Sequence, residues 1–389
     1  MSAETVQLGT HRPRNNSSTA GGDSPIAVAR ESGQFPGHSS APRRKLTVLM
    51  AGPAHAAAAP GGGDVQRLRT AAALGAFGVE AVLGRPTPER LAHVDCLHLF
   101  GSVPEHLASV AVARRMGVPV VLSTIAWFEL ANCWREPRPM VWRACAALKF
   151  LGRAACPRLP SWRRRLYRAV DLLLPNSRAE AAQLVRYFGA SEERVHVVPN
   201  GAESRFARGE PDLFARGVGG RRFVLCAGRV EPRKNQLGLL RSMRESGLPV
   251  VVLGDAVPGH ARYLARCRET ASPRVRFLPR LEHDDPLLAA AYAACGCLVL
   301  PGWFETPGLA ALEAALSGAP LVLTTGGATR EYFREHAVYV DPDDHAGMRR
   351  AIERAVRQPR NLALASHVRK NFTWQAAARA TRRAYERVR

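Results

Sequence analysis

Short apolar runs recur along this chain, each closed by Gly, Pro or Asn and followed by a longer stretch with helical spacing. Leu46-Thr47-Val48-Leu49-Met50, Val79-Glu80-Ala81-Val82-Leu83, Cys96-Leu97-His98-Leu99-Phe100 and Pro119-Val120-Val121-Leu122-Ser123 read as buried strands. So do Leu172-Leu173-Leu174 and Val195-His196-Val197-Val198. The pattern then restarts at Arg222-Phe223-Val224-Leu225-Cys226-Ala227-Gly228. It continues through Pro249–Gly254, Val275–Leu278, Cys297–Leu300 and Leu321–Leu323. Continuous apolar strands alternating with helices predict parallel sheets covered on both faces. Two such series predict two α/β domains, which a length of 389 residues accommodates.

The intervals between the runs set the expected boundaries. Residues 1–43 are small and polar without periodicity and read as a disordered tail. A first domain is expected over 44–205, a Gly- and Pro-marked linker over 206–220, a second domain over 221–371, and a last helix over 372–389, capped by Thr373. Asp284 and Asp285 sit where caps belong, and so do Asp341 and Asp343. Ser177 with Glu180 three residues on predicts a capping box.

Composition changes this picture little. The eight cysteines include no CxxC pair, and Cys295 and Cys297 fall at a buried strand, so core thiols in a reducing, cytoplasmic compartment are expected. No apolar leader and no uncharged run of roughly 18 residues is present, so neither a signal peptide nor a membrane span is expected. The net charge of +22 comes from 51 arginines and only four lysines, a bias that a GC-rich genome explains as well as an anionic partner does. Nucleic acid is not expected as a partner.

Candidate chemistry gathers at strand ends. After the first strand, Gly61, Gly62 and Gly63 let backbone approach a ligand, without the Gly-x-Gly-x-x-Gly spacing of a dinucleotide fold. After Ala227-Gly228, Arg229 and Lys234 place two cations able to hold a diphosphate, and the scarcity of lysine singles out Lys234. Arg233 reads as a solvated neighbour. After Cys297–Leu300, Glu305 precedes a helix over 308–317 whose first N–H groups, on Gly308 and Leu309, favour an anion. Glu313 lies inside that helix, able to turn toward the same mouth and accept hydrogen bonds from sugar hydroxyls. By spacing alone, both glutamates could equally be ordinary polar positions. His98, inside a strand, reads as core before it reads as catalytic. From Arg135 to Arg168, cations interleave with Trp142, Phe150, Trp162 and Tyr167. The first expectation there is a solvated helical face with the aromatics turned inward; the other is peripheral contact with an anionic membrane.

Glu305-x7-Glu313 with Gly308-Leu309 between, followed by Ser317-Gly318-Ala319-Pro320, resembles the donor site of retaining GT-B glycosyltransferases of family 4. The continuation Gly326-Gly327-Ala328-Thr329-Arg330-Glu331 is similar to one bacterial branch, and Gly228-Arg229-x4-Lys234-Asn235 to the family's Gly-Arg-x4-Lys-Asn. The resemblance runs from about Lys45 to the C-terminus. It implies a GT-B fold, two Rossmann-like doubly wound parallel-sheet domains facing a central cleft, with the last helix crossing back to the first domain. It implies transfer of a hexosyl group from a nucleoside diphosphate sugar to a hydroxyl of a glycan, lipid-linked or small-molecule acceptor, with anomeric retention. The diphosphate sugar would be a co-substrate, with no cofactor and no metal. Arg229, Lys234 and Glu305 would be catalytic. Gly62, Gly63, Gly308, Leu309, Glu313, Arg280 and Leu281 would hold the donor, the last two beside the base. The sequence departs from the family after Ser123, leaving Thr124 and Glu129 as acceptor-side candidates. Two other readings stay open: a sugar-nucleotide epimerase on the same fold, and a non-enzymatic binder of anionic surfaces.

Overall fold

The apolar runs become two parallel sheets because the inner strands are buried on both faces and need helices above and below them, while the edge runs Val79–Leu83 and Val275–Leu278 are only partly buried. The computed structural model describes residues 45–54, 61–136 and 138–389, so the tail expected over 1–43 lies outside the described residues. In the first sheet, β1 (Leu46–Ala51), β2 (Val79–Leu83), β3 (Cys96–Phe100), β4 (Val120–Ser123) and β5 (Leu172–Leu173) lie in the order β2-β1-β3-β4-β5. The second holds β6 (Val224–Ala227), β7 (Val250–Leu253), β8 (Val275–Leu278), β9 (Cys297–Leu300), β10 (Leu321–Thr324) and β11 (Val338–Val340). Their order is β11-β10-β9-β6-β7-β8. All pairings between these strands are parallel. Each sheet reverses its winding once, at β1/β3 and at β6/β9. In open α/β sheets the crevice beyond such a switch point is where ligands bind.

Several local expectations change once tertiary contacts are present. Val195–Val198 is not a strand; Val195 makes a single bridge to Leu173. The interval 206–220 is not an open linker. It carries the Pro211–Val218 helix, whose Phe214, Ala215 and Val218 pack with Ala289, Ala290 and Leu288 of the second lobe's core. Asp344, not Asp341 or Asp343, caps the His345–Arg357 helix, accepting from Gly347 N–H at 2.8 Å. The helix after the glycine loop spans Gly62–Leu74 and is followed by a short 3₁₀ turn over Gly75–Phe77.

The last helix, Trp374–Glu386, lies against the first sheet, where Trp374, Ala377, Ala378, Ala384 and Tyr385 join the core with Val48, Met50 and Phe100. Each large side chain buried there contributes about 1.5–3 kcal/mol. Among the described residues, no helix is long and apolar enough to cross a membrane.

Candidate functional site

A cavity of about 550 Å³ opens between the carboxyl edges of the two sheets. All ten positions singled out above as catalytic or donor-binding line it: Gly62, Gly63, Arg229, Lys234, Arg280, Leu281, Glu305, Gly308, Leu309 and Glu313. Topology explains the convergence. Arg229 and Lys234 follow β6, Glu305 and Gly308 follow β9, and β6 and β9 are neighbours at the switch point. The Gly62–Leu74 helix brings its N-terminus from the opposite lobe. A Cβ built on Gly61 would lie 3.1 Å from Arg229 Nη1, and one on Gly62 would lie 3.6 Å from Leu309 Cδ1. Two helix N-termini, one from each lobe, therefore face one another. Among the described residues, the N–H groups of Gly62, Gly63, Gly308 and Leu309 have no acceptor. Gly308, which lines the cavity at the start of its helix, has φ of 87°, a left-handed conformation that glycine adopts without strain.

The charges are arranged in two groups. Lys234 Nζ grips both oxygens of Glu305, at 2.6 and 2.8 Å. Glu305 is 3% exposed, and its backbone is pinned to the loop after β10 by Glu305 N–H to Gly326 C=O and Ala328 N–H to Glu305 C=O. Burial lowers the Lys234 pKa, and Glu305 offsets part of that. An ammonium has three donors, so one of those on Lys234 remains for a ligand. In the second group, Glu231 Oε1 is shared by Arg233 at 2.8 Å and Arg229 at 3.3 Å. Burial pushes the Glu231 carboxyl up, but Arg233, Arg229 and Lys234 outweigh it and hold it below its ordinary value. Three cations thus face two carboxylates, and the helix N-termini add further positive potential. This end of the cavity therefore carries a positive potential of the kind that suits an anion.

Glu313 closes the far end. His283 Nε2 lies 2.9 Å from Glu313 Oε1, and Tyr292 donates to Oε2 at 2.8 Å. Burial, followed by the Glu313 charge, raises the Tyr292 hydroxyl far above its ordinary pKa, so it stays a donor. Each carboxylate oxygen keeps an acceptor position for a ligand hydroxyl. Arg280 N–H donates to Asp255 Oδ1 at 3.3 Å, and its side chain turns to Glu282. Glu203, His283 and Asp284 bring ligand-type atoms within 4.8 Å of each other. Arg69 and Arg205 already neutralise that group, with Arg69 Nη1 at 3.3 Å and Arg205 Nε at 3.0 Å from Glu203.

Other candidates lie elsewhere. His98 is buried between Tyr385 Oη at 2.7 Å and Ser123 Oγ at 2.9 Å, and burial drives its pKa down to about 3, so it is a neutral core residue. Thr124 is also buried and donates to Glu180, away from the cavity, while Ile125 takes the position facing it. Glu129 accepts from Trp127 Nε1 at 2.7 Å. The Glu180 carboxylate does not close the expected box on Ser177; it accepts from Asn176 N–H at 2.9 Å and Ala126 N–H at 2.7 Å. Asp343 meets Arg135 at 2.7 Å, far from any capping role. Arg233, expected in solvent, lines the cavity and donates to Phe304 C=O. His283, three residues past Arg280, and Tyr292 carried no local signal in the sequence.

Comparison with known proteins agrees with this geometry. Residues 76–205 match the family described as Glycosyltransferase Family 4, and residues 221–358 match Glycosyl transferases group 1. A D-inositol 3-phosphate glycosyltransferase of Paenarthrobacter aurescens is 30% identical over 295 residues, covering 68% of this chain and 70% of that protein. Its counterpart in Rhodococcus opacus is 31% identical over 230 residues, covering 54% of this chain and 51% of that protein. The chain thus spans about half to two-thirds of the length of several curated relatives it matches. The Anabaena protein HepE, solved in complex with UDP and glucose, superposes with a TM-score of 0.67 at 15% identity over 88% of this chain and 99% of its own. With the paired sheets and the cleft between them this fold is GT-B, and the chain belongs to family 4 of the bacterial glycosyltransferases, the glycosyl transferases of group 1.

Proposed function

We propose that this chain transfers a sugar from a nucleoside diphosphate sugar to a hydroxyl acceptor with retention of anomeric configuration. The observation that carries the reading is the meeting, in one cavity, of two helix N-termini from opposite lobes with Arg229, Arg233 and Lys234. A diphosphate fits between them. Its oxygens would accept from Gly62, Gly63, Gly308 and Leu309 N–H, and Arg229 and the third donor of Lys234 would take the charge that develops as the sugar–phosphate bond breaks. Glu313, steadied by His283 and Tyr292, would accept the ribose hydroxyls, with the base against the Arg280-Leu281 backbone. Glu305 would orient the donor sugar, its carboxylate fixed by Lys234. The departing phosphate would take the acceptor's proton, so no separate base is needed. No bound cofactor or metal enters this scheme.

Family membership supports transfer over a purely charge-driven binder. The names of the relatives and the UDP in the HepE structure favour a nucleotide-sugar donor with a polyol-phosphate, glycan or lipid-linked acceptor. A thermal-shift series with UDP, GDP and ADP and their glucose and mannose conjugates tests the donor half. At least one should raise Tm, and Arg229→Ala should reduce that rise, since loss of one charge-assisted hydrogen bond costs about 1.5–3 kcal/mol. No rise with any nucleotide sets the reading aside. Turnover of the donor sugar to an isomer without acceptor would identify an epimerase instead.

A further inference from the structure

The Met140–Ala155 helix turns its apolar side outward. Its one fully buried residue is Ala147. Met140, Val141, Trp142, Leu148 and Leu151 are 65, 73, 62, 72 and 50% exposed. At roughly 100° per residue, Met140, Val141, Ala144, Leu148, Leu151 and Ala155 share one stripe free of charge. Phe150 faces the other way, onto Tyr187, with ring centroids 5.2 Å apart. The inward-turned aromatics expected here are therefore realised at Phe150 but not at Trp142. Surface helices ordinarily present a polar stripe to water, and a continuous exposed apolar patch marks a contact surface. Trp134, 44% exposed, and Leu159, 41% exposed, flank the patch in sequence.

The border of the patch is cationic. Arg164, Arg165 and Arg168 of the Trp162–Ala169 helix, with Arg114, line an open groove of about 540 Å³ beside Pro160 and Ser161. Among the described residues, none of these four arginines has a carboxylate within ion-pair distance, whereas the arginines around the cleft are paired. Leu159 Cδ1 lies 3.5 Å from where a Cβ on Gly152 would sit, so the connector between the two helices folds back onto the apolar one.

We propose that this face docks the chain on an anionic lipid bilayer, the apolar stripe entering the interface and the arginine groove taking lipid phosphates. Charge selects this occupant. A second copy would bring a like-charged groove against the same patch, whereas an anionic leaflet supplies the missing counter-charge and the apolar layer together. Ile125, which lines the cavity, is five residues from the Leu130–Arg135 helix leading into this surface, so a lipid-borne hydroxyl would be presented near the cleft. The inference is independent of which nucleotide the cavity takes.

Cosedimentation of the full chain with phosphatidylcholine–phosphatidylglycerol vesicles, against phosphatidylcholine alone, tests it. Binding is expected to the first and not the second, and to weaken with salt. Arg164→Gln with Arg165→Gln should weaken it about thirtyfold, as two juxtamembrane charges predict. Val141→Asp with Leu148→Asp should abolish it, while circular dichroism melts of both variants match wild type. Brominated lipid should quench the fluorescence of Leu148→Trp, a probe placed on the stripe itself, more than that of wild type. The wild-type arm decides even where a variant melts early. Equal affinity for both vesicles, or none for the anionic ones, overturns the proposal. So does a dimer in sedimentation velocity that the Asp variant dissociates while wild type ignores vesicles, because the patch would then be a chain–chain interface.

Discussion

Lys234 and Glu305 provide the sharpest separation of fold from function. From sequence, alanine at either position should remove transfer and leave the fold intact, but the geometry changes that expectation. Glu305 is 3% exposed and its only cationic partner among the described residues is Lys234, whose side chain is 19% exposed. Removing one member of such a pair strands the other, at a cost of about 3–5 kcal/mol, while replacing both with apolar groups of similar volume is close to neutral. Lys234→Ala should therefore destabilise by about 3 kcal/mol, because the stranded carboxylate has little access to water. Lys234→Met with Glu305→Leu should recover most of that loss and remain inactive. Urea denaturation of the full double-mutant cycle, with donor turnover measured on each protein, reads both quantities. A Lys234→Ala protein as stable as wild type would show that the ion pair is not closed in solution. A double mutant that regains stability and also regains transfer would remove these residues from the chemistry.

Two further outcomes follow from positions around the site. Gly308→Ala puts a side chain at φ of 87° with its Cβ 2.9 Å from Leu300 Cδ1; it should cost about 1–3 kcal/mol and lower donor affinity, read by thermal shift with and without nucleotide. Glu180 has its pKa raised from 4.5 to about 7, by burial that its hydrogen bonds to Thr124, Asn176 and Ala126 only partly offset. A raised carboxyl stabilises the fold fully below the unfolded pKa and loses that contribution as pH rises through the folded one. Wild type should thus lose about 3 kcal/mol relative to Glu180→Gln between about pH 4.5 and 8. A stability difference that stays flat across that window contradicts the burial of this carboxylate.

What was legible in the sequence is what depends on neighbours along the chain. Strand positions followed from runs such as Val250–Leu253, because a strand buried on both faces leaves a continuous apolar signature. That Arg229, Lys234 and Glu305 line one cavity followed from the resemblance of their motifs to the family's, and the fold realises it by setting them after β6 and β9, neighbours in one sheet. What was hidden depends on contacts between distant segments. The partners of Glu313 are 30 and 21 residues away and on other elements. Arg233 looked like one more arginine among many until Phe304 C=O and Glu231 fixed it. Asp343 fitted a cap by position, yet the nearer carboxylate of Asp344 took that role and left Asp343 for Arg135. The apolar stripe of the Met140–Ala155 helix has the periodicity of a buried face, and periodicity does not say which side meets the core.

The link between the lobes bears on how such a site could admit a ligand. Chain crosses between the sheets near Gly201-Ala202 and again at Phe372-Thr373, and the two crossings lie side by side: Ala202 N–H donates to Phe372 C=O at 3.0 Å. A Cβ on Gly201 would sit 2.2 Å from the Thr373 carbonyl carbon, so backbone meets backbone there with no side chain between. At the rim the contacts are polar and replaceable: Arg178 N–H to Glu331 at 2.8 Å, and Arg135 to Asp343. Each is worth only about 0.5–1.5 kcal/mol net, because water can replace either partner. The rim contacts cost little to part, but opening must also break the buried bonds of Tyr332 Oη to Asn176 C=O and of Asn200 N–H to Tyr332 Oη. A diphosphate held between helix N-termini of opposite lobes would then restore, by its own charge, what opening the rim had given up.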